Sequence, residues 1–287
     1  MIYTLSTVAA GILWGMISLF VKPLSALGLT SIQILFVRSA ISAVIMLIYL
    51  LCRDRSLLRI RLQDLWMFIG TGIVSLTFFS LCYFTSILRL GVSVAVILLY
   101  TSPIFVLMFS VLLFQERLTA LKITALAVTF AGCVLVTGLS DSQSISFLNV
   151  LIGIGAGLGY GLYSIFSRFA LQRYKPITVT FYTFVCSAVS LIPFCRFDQF
   201  GSTVSIQSLL LCIGIAVCCT VLPYLCYTFG LSGMENGKAA ILATVEPLVG
   251  AIIGFSVFAE TVTLQKVIGI LLILMAVVML GIKEERD

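Results

Sequence analysis

Two stretches of this chain, residues 95–122 (AVILLYTSPIFVLMFSVLLFQERLTALK) and residues 239–266 (AAILATVEPLVGAIIGFSVFAETVTLQK), follow one pattern. They align without a gap at a separation of 144 positions, and each carries a proline inside an apolar run and a glutamate thirteen residues later. Each run is about 20 residues long, the length that a helix needs to cross a bilayer. The pattern therefore predicts two equivalent membrane helices, each with a break beside its proline.

The duplication extends beyond these stretches. Residues 70–138 match residues 214–282 at 13 of 69 positions. The first helices match at a separation near 146, which pairs Gly11 with Gly157, Gly15 with Gly161, Ser18 with Ser164 and Phe20 with Phe166. Because each copy has five spans, an odd number, the second copy enters the membrane in the opposite orientation. Inverted repeats that enclose a site near the midplane are typical of transporters.

The composition also indicates a protein whose solvent is the bilayer. Of 287 residues, 61% are apolar and 10% are charged, whereas soluble domains are about a quarter charged. Ten uniformly apolar runs predict an all-α integral membrane protein with ten transmembrane helices, arranged as two inverted five-helix repeats at 1–139 and 147–282. The runs are 2–21, 32–52, 65–87, 92–114, 119–139, 147–169, 177–195, 207–230, 238–258 and 264–282.

Several other classes of protein do not fit. The chain has no histidine, and its nine cysteines lack the spacing of a zinc site or a disulfide framework, so we expect no metal and no cofactor. An intramembrane enzyme would need paired carboxylates or a nucleophile with a base, so we do not expect an enzyme. Direct ATP drive is not expected without a P-loop. No length remains for a soluble nucleic-acid-binding domain, so we expect no nucleic-acid partner.

The net charge of +6 is interpreted as membrane topology. Eleven basic residues lie on the side of the amino terminus and four on the opposite side. This asymmetry predicts a multi-pass protein of the cell (inner or plasma) membrane with both termini in the cytoplasm. The first run is too long for a signal-peptide core, so we expect it to be retained. The basic stretch 53–61 is expected at the cytoplasmic surface beside anionic lipid.

Four motifs carry a family resemblance. They are Leu13-Trp14-Gly15 in the first helix, Arg38 in the second, Thr101-Ser102-Pro103 through Gln115-Glu116-Arg117 in the fourth, and Val245-Glu246-Pro247 through Ala259-Glu260-Thr261 in the ninth. With these motifs the chain resembles the drug/metabolite transporter (DMT) superfamily, and most closely its EamA-type permeases. The resemblance implies a permease for amino acids, drugs or other small metabolites, and related branches carry nucleotide sugars or sugar phosphates.

The second copy departs from the first in two places. It has Tyr160-Gly161 where the first copy has Trp14-Gly15, and nothing in it matches Arg38. We therefore expect an asymmetric site.

Glu246 is the carboxylate that lies well inside a predicted span. An ionised carboxylate near the bilayer centre costs about 2.5–3.5 kcal/mol on insertion, so it should face a cavity or a partner. It would function as a proton carrier or as an anchor for a substrate amine. The structural alternative is an acceptor for polar groups beside the helix break at Pro247.

Arg38 is the basic counterpart in the second helix. It could bind a carboxylate or phosphate by a two-pronged hydrogen bond, or instead reach outward or hold helices together. An axial gap of about 9 Å makes a pair with Glu246 feasible but not required. Ser31, Arg38, Ser42 and Tyr49 recur at helical spacing, which favours a polar stripe that faces inward.

Further site residues follow from the repeat and from the aromatic content. Ser102 and Glu246 are repeat-equivalent and directly precede Pro103 and Pro247, where we expect helix breaks with exposed carbonyl groups. Tyrosine and tryptophan inside spans suggest a pocket for apolar or aromatic groups, although plain packing fits each one singly. The hypothetical substrate-binding set is Trp14, Arg38, Tyr83, Tyr100, Ser102, Tyr160, Tyr163, Tyr227 and Glu246.

Two other patterns are assigned structural roles. Glycines four residues apart are interpreted as helix-packing positions, namely Gly153, Gly157 and Gly161 in one helix and Gly250 and Gly254 in another. Glu116 and Glu260 are expected to cap the helix that follows each of them.

The predicted function is a secondary transporter of small organic metabolites, amino acids or related amphipathic solutes first among them, moving outward by alternating access with possible proton coupling through Glu246. The alternatives are a sugar-phosphate or nucleotide-sugar exchanger, a lipid-linked sugar flippase, and a membrane scaffold. The expected partners are a small-molecule solute and the lipid bilayer, in a monomer or homodimer.

Overall fold

The computed structural model describes residues 1–137, 146–199, 205–259 and 263–282. In these residues the chain forms ten successive membrane helices. They are α1 (Ile2–Gly15 and Ser18–Ala26), α2 (Ser31–Arg53), α3 (Leu65–Ile69, Gly70–Thr77 and Phe78–Leu90), α4 (Val92–Leu99 and Ser102–Phe114), α5 (Ala120–Thr137), α6 (Phe147–Leu171), α7 (Pro176–Leu191), α8 (Ile206–Ala216, Val217–Val221 and Leu222–Leu231), α9 (Asn236–Leu242, Ala243–Val245 and Glu246–Val257) and α10 (Leu264–Ile282). Within these described ranges, α1 to α9 are long and apolar enough to cross a bilayer, and α10 has a shorter apolar stretch. The predicted all-α membrane fold is confirmed.

The first helix is longer than the predicted run of 2–21. The chain leaves helical geometry around Met16, begins a second segment at Ser18 and continues past Pro23 to Ala26. Membrane helices tolerate an internal proline when neighbouring groups satisfy the freed backbone. Leu24 is fully buried against α8. This packing stabilises an additional helical turn beyond Lys22, where the predicted run ended.

The two repeats interleave. Helix α1 packs against α8 and α9 of the other repeat, and its equivalent α6 packs against α3 and α4. Helix α2 packs against α8, and the equivalent contact joins α7 and α3. Three further contacts join helices that are each other's equivalents in the two repeats: α2 with α7, α4 with α9, and α5 with α10. Every one of these contacts joins different repeats, so the core of the protein is the surface between the repeats.

Glycines bring α1 very close to α9. A Cβ atom added to Gly11 would lie 2.6 Å from the carbonyl oxygen of Ala243, and one added to Gly15 would lie 2.7 Å from that of Glu246. Any larger residue at either position would collide with backbone, which a flexible side chain cannot relieve. Only glycine fits at these two positions, as expected where small residues let helix backbones approach closely.

The equivalent glycines of α6 make the equivalent approach to α4. A Cβ atom on Gly157 would lie 2.7 Å from the carbonyl oxygen of Leu98, and one on Gly161 would lie 3.1 Å from that of Ser102. Gly250 differs from this pattern, because its nearest neighbour is 3.9 Å away.

The helices that these glycines touch are the ones that break. Helix α4 is interrupted at Tyr100 and Thr101, and α9 narrows to a 3₁₀ turn at Ala243–Val245. Ser102 and Glu246 are the first residues of the segments that follow. Both breaks lie at the repeat-equivalent positions directly before the prolines.

Helices α3 and α8 contain a second irregularity, which the sequence did not predict. Both widen to π-helical turns, at Gly70–Thr77 and Val217–Val221, which are nearly equivalent at the 144-residue separation. In each, a threonine hydroxyl donates to the carbonyl five residues earlier: Thr77 to Gly72 at 3.1 Å, and Thr220 to Ile215 at 2.9 Å. Such turns are frequent at functional sites.

Gly157→Ala should destabilise the protein, since its new methyl group would collide with the α4 backbone. Overpacking of this kind costs about 1–3 kcal/mol. Gly155→Ala in the same helix is the matched control, because the nearest atom to its Cβ is the Cys82 sulfur at 3.6 Å, an ordinary contact. Thermal unfolding in detergent should show a lower Tm for the first variant alone, and equal Tm values would contradict the packing model.

Candidate functional site

A small cavity lies between α1, α3, α4, α6, α8 and α9, where the two repeats meet. Its free volume is about 20 Å³, enough for one or two water molecules and too small for a metabolite. The cavity is lined by Trp14, Ser75, Phe79, Ser102, Val106, Tyr160, Gly161, Tyr163, Ser164, Tyr224, Tyr227, Ala240 and Ala243.

An aromatic cluster centred on Trp14 forms much of this lining. The ring of Trp14 lies 5.2 Å from that of Tyr224, 5.3 Å from that of Tyr227 and 6.3 Å from that of Tyr160, measured between centroids. Tyr163 meets the edge of Tyr224 at 5.0 Å. Edge-to-face and tilted aromatic pairs are favourable at these distances, so the rings hold each other in place.

The tyrosine hydroxyls of this cluster differ in their partners. Those of Tyr163 and Tyr227 are each 2.7 Å from a buried hydroxyl, that of Thr228 and that of Ser164 respectively. Tyr224 makes no hydrogen bond through its hydroxyl to any described residue. Two of these hydroxyls therefore fix the structure, and the third is available to a ligand.

Glu246 lies beside the cavity at the start of the last segment of α9, Glu246–Val257. Its carboxylate accepts a hydrogen bond of 3.1 Å from the Tyr160 hydroxyl, and Tyr160 lines the cavity. In the described part of the chain, no lysine or arginine is within ion-pair distance of Glu246. Among the described residues the carboxylate thus has one hydrogen-bond donor and no counter-ion.

Arg38 on α2 is 8% exposed, and its Nε atom is buried without a hydrogen-bond partner. It is near enough to Glu246 for their charges to interact, yet the two form no ion pair. Among the described residues Arg38 makes no hydrogen bond or ion pair that would hold helices together. The prediction of a polar stripe that faces inward was right for two of its four residues. Arg38 and Ser42 are buried, but Ser31 and Tyr49 are exposed at the outer surface of α2.

The structure places the predicted site residues in two groups. Trp14, Ser102, Tyr160, Tyr163 and Tyr227 line the cavity. The others surround it without contributing to its wall, namely Arg38, Tyr83, Tyr100 and Glu246.

Tyr83 and Tyr100 occupy different positions behind the wall. The ring of Tyr83 stacks on Phe79 at 5.9 Å, and Phe79 in turn lies 5.2 Å from Tyr160. Tyr100 is buried in an apolar cluster with Cys133 and Leu248.

Eight lining residues were outside the predicted set, namely Ser75, Phe79, Val106, Gly161, Ser164, Tyr224, Ala240 and Ala243. Ser75 lies in the π-helical turn of α3 and Phe79 just after it, so their direction depends on that turn. Tyr224 carried the same aromatic signal as its neighbours and could have been included. Nothing in the sequence marked Ala240 or Ala243 as a site residue.

Glu116 has a different role from the predicted one. It does not cap α5, the helix that follows it. Its carboxylate accepts hydrogen bonds from the backbone N–H groups of Asn236 at 2.7 Å and Gly237 at 3.3 Å, so it caps α9 in the other repeat. The first turn of α9 leaves its N–H groups without helical partners, and interleaving brings Glu116 to them. Glu260 lies outside the described residues.

The described residues hold no group of three or more histidine, cysteine, aspartate or glutamate side chains close enough to bind a metal ion. The nine cysteines are free thiols.

Three kinds of comparison with known proteins agree. A family model described as the EamA-like transporter family matches residues 1–138 and 147–282. A protein of Archaeoglobus fulgidus named "Uncharacterized transporter" is 32% identical over 195 residues, which cover 68% of this chain and 69% of that one. The "Uncharacterized inner membrane transporter YicL" of Salmonella typhimurium is 25% identical over 80% of this chain and 77% of its own. A crystal structure with 16% sequence identity has the same fold, with a TM-score of 0.83 over 99% of this chain and 98% of that one.

Tyr227→Phe should lower stability, because it leaves the buried Ser164 hydroxyl without its partner, at a cost of about 1–3 kcal/mol. Tyr224→Phe is the matched control on the same helix, since both rings contact Trp14 and the Tyr224 hydroxyl is unpaired. Thermal unfolding in detergent should separate the two variants. The same Tm for both would show that the Tyr227 hydrogen bond is not structural.

Proposed function

Because this chain belongs to the EamA-like transporter family of the drug/metabolite transporter superfamily, we propose that it moves small amphipathic metabolites, amino acids first among them, across the cell membrane. The protein is a multi-pass membrane transporter. The observation that carries the finer proposal is that Glu246 and Arg38, which have no ion-pair partner among the described residues, lie near an aromatic cavity between the repeats.

The charges of Glu246 and Arg38 are complementary to the ammonium and carboxylate groups of an amino acid. Glu246 can accept hydrogen bonds from a substrate ammonium group, and Arg38 can donate two to a substrate carboxylate. The rings of Trp14 and Tyr224, which pack against each other, offer apolar surface to a substrate side chain. A sugar phosphate fits less well, because a doubly charged phosphate would meet one interior arginine and the carboxylate of Glu246.

Transport requires the cavity to open, since about 20 Å³ cannot hold an amino acid. The breaks in α4 and α9 are suited to this motion because they lie beside the cavity at equivalent positions of inverted repeats. Movement of one broken helix would open the cavity to one side of the membrane, and movement of its equivalent would open it to the other. Eleven basic loop residues against four support cytoplasmic termini.

Proton coupling would operate through Glu246. A charged carboxylate in the membrane interior is costly, so either a proton or the substrate ammonium group would neutralise it during the cycle. Tyr160 donates to it directly. The titratable or charged groups whose electrostatic interaction reaches it are Arg38, Tyr83, Tyr100, Cys133, Tyr160, Cys219 and Tyr224.

The Glu246→Gln variant should lose pH-driven transport. Purified protein in liposomes would be given a panel of labelled amino acids with and without a pH gradient. Loss of a charge-assisted hydrogen bond should lower the uptake rate about tenfold or more, and the residual rate should not respond to the gradient. Asp54→Asn, which removes a carboxylate from the exposed loop after α2, is the control for the change of charge.

If Glu246→Gln keeps both the rate and the pH dependence of the parent protein, Glu246 has a structural role and the coupling proposal is wrong. If no amino acid is transported by the parent protein, the substrate assignment is wrong, although the family membership is unaffected.

Arg38→Gln should discriminate between substrates by their carboxylate. Transport of an amino acid should fall about tenfold, whereas transport of the corresponding amine, which lacks the carboxylate, should not change. Competition assays in the same liposomes would measure both. Equal losses for the acid and the amine would mean that Arg38 supports the fold and does not bind the substrate.

A further inference from the structure

A second cavity lies at the membrane surface, away from the central one, and shares no lining residue with it. It has a volume of about 540 Å³, within the range of ligand sites, and is lined by Arg59, Ile60, Arg61, Asp64, Arg173 and Tyr174. These residues come from the connection between α2 and α3 in the first repeat and from that between α6 and α7 in the second. Alternating crossings put both connections on one face of the membrane, the face of the amino terminus.

The cavity has more positive than negative charge. Asp64 is buried, and its carboxylate is already occupied by the Arg173 guanidinium and by the Tyr174 hydroxyl, which donates at 2.7 Å. Arg59 and Arg61 are exposed, and within the described residues their guanidinium groups have no carboxylate partner. Two positive charges therefore point to an anion as the ligand.

The frame of the cavity is fixed by hydrogen bonds between the repeats. The backbone N–H of Arg61 donates to the Tyr174 hydroxyl at 3.0 Å. The Tyr182 hydroxyl donates to the carbonyl of Leu58 at 2.6 Å, and the Thr178 hydroxyl donates to that of Leu57 at 2.9 Å. The two arginines are thus presented by an anchored connection and not by a free loop.

An apolar face descends from this cavity into the membrane. Leu62 (85% exposed), Leu65, Trp66 (46% exposed) and Ile69 follow one side of the start of α3 at helical spacing. Trp66 also lies against the rings of Phe166 and Phe169 on α6, at 6.2 and 5.5 Å. A molecule with a phosphate at the cavity and hydrocarbon chains along this face would match both surfaces.

We propose that this cavity binds one anionic phospholipid, with its phosphate at Arg59 and Arg61 and its acyl chains beside Trp66. The apolar face distinguishes a lipid from a free phosphate, which would have no use for it. The proposal concerns neither the transported solute nor the central cavity, so it can be tested without a substrate.

Trp66 makes the test direct, because the chain has two tryptophans and the other, Trp14, is 7% exposed in the interior. The protein would be reconstituted in phosphatidylcholine bilayers that contain phosphatidylglycerol at a fixed fraction. Bromine on the acyl chains of one lipid or the other quenches a nearby tryptophan. Brominated phosphatidylglycerol should quench Trp66 more than the same mole fraction of brominated phosphatidylcholine.

The variant Arg59→Gln/Arg61→Gln should lose this preference, and Arg53→Gln/Arg55→Gln is its matched control. The control removes the same charge from the end of α2 and the start of the connection, but changes no residue of the cavity. Both variants weaken the general attraction of the surface for anionic lipid, by about fivefold per arginine. The cavity variant should fall at least about fivefold below the control in its apparent affinity for phosphatidylglycerol.

Three results would overturn the proposal. The first is equal quenching by the two brominated lipids in the parent protein. The second is an equal loss in both double variants, which would reduce the effect to surface charge. The third is binding of inorganic phosphate that depends on Arg59 and Arg61 in pure phosphatidylcholine bilayers, without any preference for phosphatidylglycerol; this would make the cavity a site for a free anion.

Discussion

The close approach of α1 to α9, and of α6 to α4, is the constraint on which the rest of the structure depends. Gly11 and Gly15 lie against the carbonyl groups at the break of α9, and Gly157 lies against those at the break of α4. Because no side chain fits between these backbones, the position of each break relative to the cavity is set. The same contact places the start of the last α9 segment, and with it Glu246, beside the aromatic cluster.

Hydrogen bonding separates structural groups from candidate functional groups in this interior. A buried hydroxyl without a partner is costly in a bilayer, and Tyr163 and Tyr227 have partners on neighbouring helices. Among the described residues, the buried Nε atom of Arg38 has no partner, and the hydroxyl of the buried Tyr224 forms no hydrogen bond. Polar groups that the fold leaves without partners at the edge of a cavity are the ones that a ligand can satisfy.

Charged and capping contacts join the repeats at the amino-terminal face. In the described residues of the amino-terminal face, Glu116 caps α9, Arg168 donates to the carbonyl groups of Leu231 and Met234, and Arg173 pairs with Asp64. Described contacts at the opposite face include Arg89 with Asn149, Gln33 with the carbonyl of Arg196, and Lys22 over the ring of Phe258 at 3.7 Å. Opening toward the amino-terminal face would therefore have to break charged and capping contacts between the repeats.

The sequence by itself determined the number of helices, the duplication and the breaks before Pro103 and Pro247, because hydropathy and a repeated proline act within a single helix. It also identified Trp14, Ser102, Tyr160, Tyr163 and Tyr227, which the fold brings to one cavity. The tertiary structure alone decided that Glu116 caps α9, that Phe79 reaches the cavity and that Arg38 and Glu246 stay unpaired. These outcomes depend on how inverted repeats interleave and on a π-helical turn that rotates α3, and neither leaves a periodic signal along the chain.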